Sequence, residues 1–282
     1  VYLPKKLEIN EVGFFHTDHT ASSLFGMHTA NPQDSTDLAW GDEDGNDYAN
    51  FQIFAMRSKK ESPHVTFQLT SSMRQESAGS TPFLTSSLYH NVHKEGQKWN
   101  LAVRVKTEID PLDSRVSGST DSAADDYILE FYGVRYVGDY LEDEFHTSCS
   151  LDYTSAQNFL RSSKRLYVGA HREYFTGSVL EKADANISSL RYWSTYLPDE
   201  VIRAHARDPL NVGIDNPSRN AFLLKTALSG TSTEDVPRIE TLALDWDFDT
   251  LTGSNDLGQF IVKDASSGSS DLTSRHGFLG NL

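Results

Sequence analysis

Residues 165–207 read RLYVGAHREYFTGSVLEKADANISSLRYWSTYLPDEVIRAHAR, and this stretch decides the fold. It opens on a strand-like run, Leu166 to Ala170. A turn segment with Gly177 follows, and then a second run, Ile187 to Trp193, whose large apolar residues are Ile187, Leu190, Tyr192 and Trp193. Short apolar runs bounded by turn residues are the pattern of strands. A short amphipathic helix closes the unit. Pro198 suits a first helical turn, Asp199 and Glu200 favour the positive helix N-terminus, and Val201, Ile202 and Ala206 supply an apolar side.

Working outward, Trp99, Leu101, Val103 and Val105 alternate with Asn100, Ala102, Arg104 and Lys106, which predicts a strand with one dry and one wet face. Phe51 to Met56 predicts another strand, and Val65, Phe67 and Leu69 alternate with polar neighbours in the same way. Phe83 to Tyr89 is a weaker strand candidate. Tyr127 to Tyr132 predicts a strand that Val134 to Val137 would continue beyond Gly133. Ser150 to Leu160 suits a short helix or an irregular connection. Phe14 and Phe15 begin the first core segment, and residues 16–50, rich in Asp, Asn, Thr, His and Gly, read as long loops between short strands. The acidic runs 121–126 and 139–144 read as solvated loops.

After residue 214 the character changes. Phe222 to Leu228 suits a short helix, Thr241 to Phe248 and Gln259 to Lys263 read as two strands, and residues 266–274 are a Ser/Gly tract. The expected organisation is a β-sandwich over 1–214 and a C-terminal extension over 215–282, packed on the sandwich or leading into a neighbouring module. Many short strands with turn signals throughout argue for a sandwich.

Three motifs resemble the laminin-G-like and concanavalin-A-like superfamily: Trp99-Asn100-Leu101-Ala102-Val103, then Tyr174-Phe175-Thr176-Gly177, then Leu190-Arg191-Tyr192-Trp193 leading into Leu197-Pro198-Asp199-Glu200-Val201-Ile202. They stand in the family's usual order. The resemblance implies an all-β, jelly-roll β-sandwich. It speaks to fold far more than to function, because the fold hosts lectins, glycosidases, adhesion modules and viral structural parts. Leu242 to Asp249 followed by Gly258 to Gly268 is similar to segments of large virion structural proteins of marine tailed phages, where such a segment follows a laminin-G-like domain. That resemblance implies a virion or extracellular-surface location, other assembly subunits as partners, and an oligomeric setting.

Composition bounds the function. The 282 residues carry a net charge of −15, which argues against nucleic acid, since a phosphate backbone needs Lys/Arg patches. Apolar content of 38% and aromatic content of 11% suffice for a substantial core. No run of about 18 apolar residues is present, so no transmembrane helix is expected. Cys149 is the one cysteine, so no internal disulfide forms. The chain starts Val1-Tyr2 with no visible signal peptide, and is expected to be a processed product or part of a longer protein.

Residues 42–47, Asp-Glu-Asp-Gly-Asn-Asp, make an oxygen-rich loop. Calcium needs about six to eight oxygen ligands, and Asp42, Asp44, Asn46 and Asp47 are the candidate metal residues; a solvated acidic loop is the plainer reading. Trp40 and Tyr48 flank the loop and are the candidate carbohydrate-binding residues, an aromatic face beside carboxylates being able to hold a sugar ring and its hydroxyls. The plainer reading of Trp40 is a plug for a sheet edge or a subunit contact. Asp245, Asp247 and Asp249 alternate on one strand face, which resembles the catalytic strand of sandwich-fold glucanases, but those use Glu at both catalytic positions. The histidine pairs His16/His19 and His90/His93 lack a third ligand in sequence, and no Ser-His-Asp set has a nucleophile-elbow context. The chain is therefore expected to be a non-enzymatic structural or adhesion module binding other subunits and cell-surface glycan. The alternatives are a calcium-dependent lectin domain and, third, a glycoside hydrolase.

Overall fold

A computed structural model describes residues 1, 20–29, 51–59, 62–71, 83–107, 127–151, 153–161, 164–172, 179–183, 185–194, 196–208, 242–254, 260–264 and 266. The fold is all-β with little helix, and every pairing among the described strands is antiparallel. Five strands form one sheet: β1 (Ala21–Thr29), β2 (Phe51–Met56), β3 (Thr66–Ser71), β4 (Phe83–Thr85) and β8 (Lys164–Val168), in the order β4-β3-β2-β1-β8. A second sheet runs β5-β6-β7, made of Asn100–Thr107, Tyr127–Val137 and Tyr140–Leu151. A third runs β11-β12-β13, made of Ser189–Trp193, Leu242–Ser254 and Phe260–Asp264. The short strands β9 (His171–Arg172) and β10 (Val179–Leu180) form a two-stranded ribbon. Three helices complete the described elements: α1 (Val92–Glu95), α2 (Tyr153–Arg161) and α3 (Asp199–Arg207).

Side chains of the first two sheets meet in one buried cluster that includes Leu24, Phe25, Met27, Phe51, Ile53, Phe67 and Leu69 from one sheet and Leu129, Phe131 and Phe145 from the other. Trp99 plugs its end. It is 1% exposed, its ring lies 4.5 Å from Tyr89, 5.1 Å from Phe67 and 6.1 Å from Phe145, and its indole N–H donates to Gln97 Oε1 at 3.3 Å. Aromatic pairs at these spacings add to the energy of burial itself. Trp193 is half-buried and stacks on His205 with ring centroids 5.9 Å apart.

Strand β6 is buried on both faces because α3 covers the outer one. Tyr132 and Val134 pack against Leu197, Val201 and Ile202 there. Asp199 and Glu200 occupy the first turn of α3, and Pro198 caps it with extended backbone. The expected helix is therefore present, with Pro198 one position outside it.

Two expectations are corrected. The acidic run 139–144 is not a loop: Gly138 and Asp139 make the hairpin turn, and residues 140–144 belong to β7. Gly138 has φ 60°, a conformation glycine adopts freely, and this lets the chain reverse within two residues. Within residues 16–50, read as long loops between short strands, β1 is a strand of nine residues. A register shift between Ser23 and Phe25 breaks its period of two, so adjacent Leu24 and Phe25 are both buried and the alternation that would reveal a strand is lost. Beyond β4 the Phe83–Tyr89 candidate is not a strand, although Tyr89 forms a single bridge to Val65. Strands β12 and β13 arise from the 215–282 range, and β12 pairs with β11 from Ser189↔Asp247 to Trp193↔Leu242. The predicted segments at Phe14/Phe15 and 222–228, and the Tyr174-Phe175-Thr176-Gly177 motif, lie outside the described residues.

Candidate functional sites

Arg104 and Glu130 are cross-strand partners in the β5–β6 register, and they face α3. Cross-strand neighbours of opposite charge attract directly. Glu130, with a side chain 3% exposed, receives Lys106 Nζ at 2.7 Å and stands 3.0 Å from Arg104 Nη2, an ion-pair contact without hydrogen-bond alignment. The Tyr196 hydroxyl donates to Glu130 Oε2 at 2.9 Å. Arg104 Nη1 donates to Asp199 Oδ1 at 2.6 Å and to the Leu197 carbonyl at 2.9 Å, tying the sheet to the first turn of α3. The Arg104 guanidinium also lies between two rings, 5.1 Å from Tyr132 and 5.0 Å from Tyr196.

A second set continues this face. The Tyr132 hydroxyl donates to Glu144. Arg203 of α3 donates from Nε to the Tyr132 oxygen at 3.1 Å and from Nη2 to Glu144 Oε1 at 2.6 Å. On the opposite face of β6, Arg135 reaches Glu142 at 2.8 Å and Asp143 at 3.1 Å.

These contacts decide the protonation states. Burial pushes the Glu130 carboxyl up, but the Lys106 hydrogen bond, the Arg104 charge and the Tyr196 hydroxyl outweigh it and hold the group below its ordinary value. Burial raises Tyr132 above the usual phenol range, and its hydrogen bond to Glu144 raises it further. Glu130 is thus a fixed anion and Tyr132 a fixed neutral donor at neutral pH. What the contacts on this face do is tie α3 to the sheet.

On the other sheet, β1, β2 and the segment after β8 assemble a chain of hydrogen bonds. His28 Nε2 lies 3.1 Å from Gln52 Oε1, Gln52 Nε2 donates to Ser23 Oγ at 2.6 Å, and Ser23 Oγ lies 3.2 Å from His171 Nδ1. Gly26 makes room for it, since a Cβ there would overlap the Gln52 amide and stand 2.6 Å from the Phe51 carbonyl oxygen. Burial pushes His28 down to about 4, against the Gln52 hydrogen bond, and also lowers His171. Ser23 is fully buried, which keeps its hydroxyl from an external substrate.

The candidate calcium ligands Asp42, Asp44, Asn46 and Asp47, and the candidate sugar platforms Trp40 and Tyr48, lie outside the described residues. Asp245 is bound to Arg191 at 3.0 Å, and its amide donates to Asp264 Oδ1 at 2.8 Å. Asp247 shares its strand, and Leu244 on the opposite face is fully buried. His64 and His90 sit with ring centroids 4.7 Å apart, and His64 Nδ1 accepts from the Asn91 amide at 3.3 Å. Among the described residues, no three His, Cys, Asp or Glu side chains gather where one metal ion could bind them.

The sequence reading missed both networks. A signal existed for the first: Glu130 is a lone carboxylate between Leu129 and Phe131 in an apolar strand, and a buried charge there requires a partner. None existed for the second, because Ser23, Gln52 and His171 are far apart in the chain and carry no spacing rule. No family model, curated protein or solved structure matches the chain.

Proposed function

We propose that the chain is a non-enzymatic structural and adhesion module of a larger surface assembly, a phage virion being the assembly its tail segment resembles. In this reading its sandwich has the jelly-roll form and holds host-surface carbohydrate. The observation that carries it is the tip of the β6–β7 hairpin. Val137, Tyr140 and Leu141 are 52%, 83% and 43% exposed within five residues. Scattered single exposures are ordinary, whereas a cluster at the end of a stiff ribbon is the form of a contact surface. Tyr140 stands in sequence beside Asp139, Glu142 and Asp143, the combination of aromatic face and carboxylates that suits a sugar ring. Support for a non-enzymatic role comes from Glu130, Glu142, Asp143, Glu144 and Asp245, each held by an arginine or lysine.

The test is a glycan array probed with the purified chain in calcium and in chelator. Saturable binding is expected, and Tyr140→Ala should weaken it about tenfold, equivalent to about 1.4 kcal/mol, with an unchanged melting temperature. Binding lost in chelator and in Asp44→Ala would place calcium at residues 42–47. No glycan retained under either condition removes the carbohydrate reading.

A further inference from the structure

Strand β5 is hydrogen-bonded to β6 along one edge, and Val1 reveals which backbone groups face the other. The Val1 nitrogen donates to the Trp99 carbonyl at 2.7 Å, and the Trp99 amide donates to the Val1 carbonyl at 2.7 Å. Two residues that exchange both bonds form one rung of an antiparallel ladder. Backbone groups alternate sides along a strand, so Leu101, Val103 and Val105 turn their N–H and C=O groups to the same side as Trp99. Asn100, Ala102, Arg104 and Lys106 turn theirs to β6. Among the described residues no backbone hydrogen bond reaches Leu101, Val103 or Val105 from that outer side.

Across from this edge lies β11, which among the described strands pairs with β12. A cavity of about 290 Å³ separates the two, touching every residue from 98 to 105 and every residue from 187 to 194. A cavity over a strand's face meets alternate residues, and one that meets successive residues runs along its edge. The floor is Phe25, Met27 and Phe51 of the five-stranded sheet, and Ile202 and Ala206 of α3 line the other side. Two strand edges thus face each other across a gap with an apolar floor.

The contents of such a gap must satisfy backbone donors and acceptors along its length. An apolar small molecule would leave them unmatched, at about 1–3 kcal/mol for each buried group. An extended polypeptide supplies N–H and C=O groups at the same period of two, and its alternate side chains reach the floor. Lys98 is exposed at the Val1 end of the gap, where a strand antiparallel to β5 would finish. We propose that the gap between β5 and β11 is a strand-addition site for an extended segment of a partner polypeptide. That segment runs antiparallel to β5, turns alternate apolar side chains onto Phe25, Met27 and Phe51, and carries an acidic residue at its trailing end against Lys98. Seated there, it joins the two three-stranded sheets into one continuous sheet. The inference deepens the assembly reading, on which it rests only for the partner being another protein.

Amide hydrogen exchange of the whole chain tests it, with a pool of end-blocked octapeptides as probe, alternating apolar and polar residues and ending in an acidic one. Leu101, Val103 and Val105 should exchange much faster than Ala102 and Arg104 in the chain alone, and at least tenfold more slowly once the pool is added. Val103→Pro removes an N–H aimed at the gap and none aimed at β6, so it should abolish the protection of Leu101 and Val105. The proposal is overturned if those amides are already protected without peptide, if the pool leaves them unchanged, or if a folded Val103→Pro chain still gains protection. Should that variant fail to fold, the wild-type exchange decides. Glycan binding through Tyr140 is read separately, so either result can fail without the other.

Discussion

Glu130→Ala is expected to destabilise the chain by about 3–5 kcal/mol, the usual consequence of removing one member of a buried ion pair. At roughly 2–4 °C per kcal/mol for a chain approaching this size, the melting temperature should drop by about 10 °C. The loss comes less from the missing attraction than from what stays behind. The Arg104 side chain is 4% exposed and cannot move to water, because the Tyr132 and Tyr196 rings enclose it. Asp199 still accepts from it at 2.6 Å, but that carboxylate is 34% exposed and neutralises the buried cation less effectively. Lys106, 35% exposed, can retreat into solvent, so Lys106→Met should cost under about 1 kcal/mol. The double variant Arg104→Leu/Glu130→Leu removes both charges and should recover most of the stability lost by the single change. Thermal melts of the two single variants and the double variant close a double-mutant cycle. A Glu130→Ala melting temperature within about 2 °C of wild type would show that the pair is not an important link between α3 and the sheet.

That network also marks where the sequence could be read and where it could not. Val65–Leu69 and Trp99–Lys106 were legible because alternating apolar and polar residues leave a period of two in the composition, although α3 covers the polar side of the latter and buries Arg104, so that face is not wet. Phe51–Met56 was legible as a short apolar run. Asp199-Glu200 ahead of Val201-Ile202 was legible as a helix start because its rules are local. Strand β1 was hidden by its irregular register and by an outer face carrying Ser23 and His28, polar residues that are buried all the same. Residues 139–144 were misread because an acidic run looks solvated until its partners are known. Arg135 lies nearby across the hairpin, but Arg203 is 59 residues away from Glu144. The candidate site was the less legible part. The two hydrogen-bonded networks and the gap beside β5 all depend on which strand edges meet, and sequence spacing carries no record of that.

His28 should make stability fall with pH from about 6.5 downward, beginning above the range where carboxylates titrate. Its folded value of about 4 lies below the ordinary 6.5, so the native state prefers the neutral ring. The unfolded chain therefore binds the proton first as the pH falls. The stability that the neutral ring provides is complete above pH 6.5 and is lost progressively towards pH 4. Between pH 7 and 4.5 the linkage amounts to about 2 kcal/mol for this one group. His171 is lowered too and adds to the slope with the same sign. Glu130 behaves differently: its folded value is depressed, so its stabilisation is kept above the ordinary carboxylate range and lost only as the pH falls through that range and below. Denaturant unfolding of wild type and His28→Gln at pH 7.0 and 4.5 separates the contributions, because glutamine can still donate to Gln52 Oε1 but takes up no proton. The variant should lose about 2 kcal/mol less than wild type over this interval. Equal losses in the two proteins would mean that the ring gains its proton without disturbing the Gln52–Ser23–His171 chain. The burial of His28 between β2 and Tyr167 would then not govern the acid stability of this sheet.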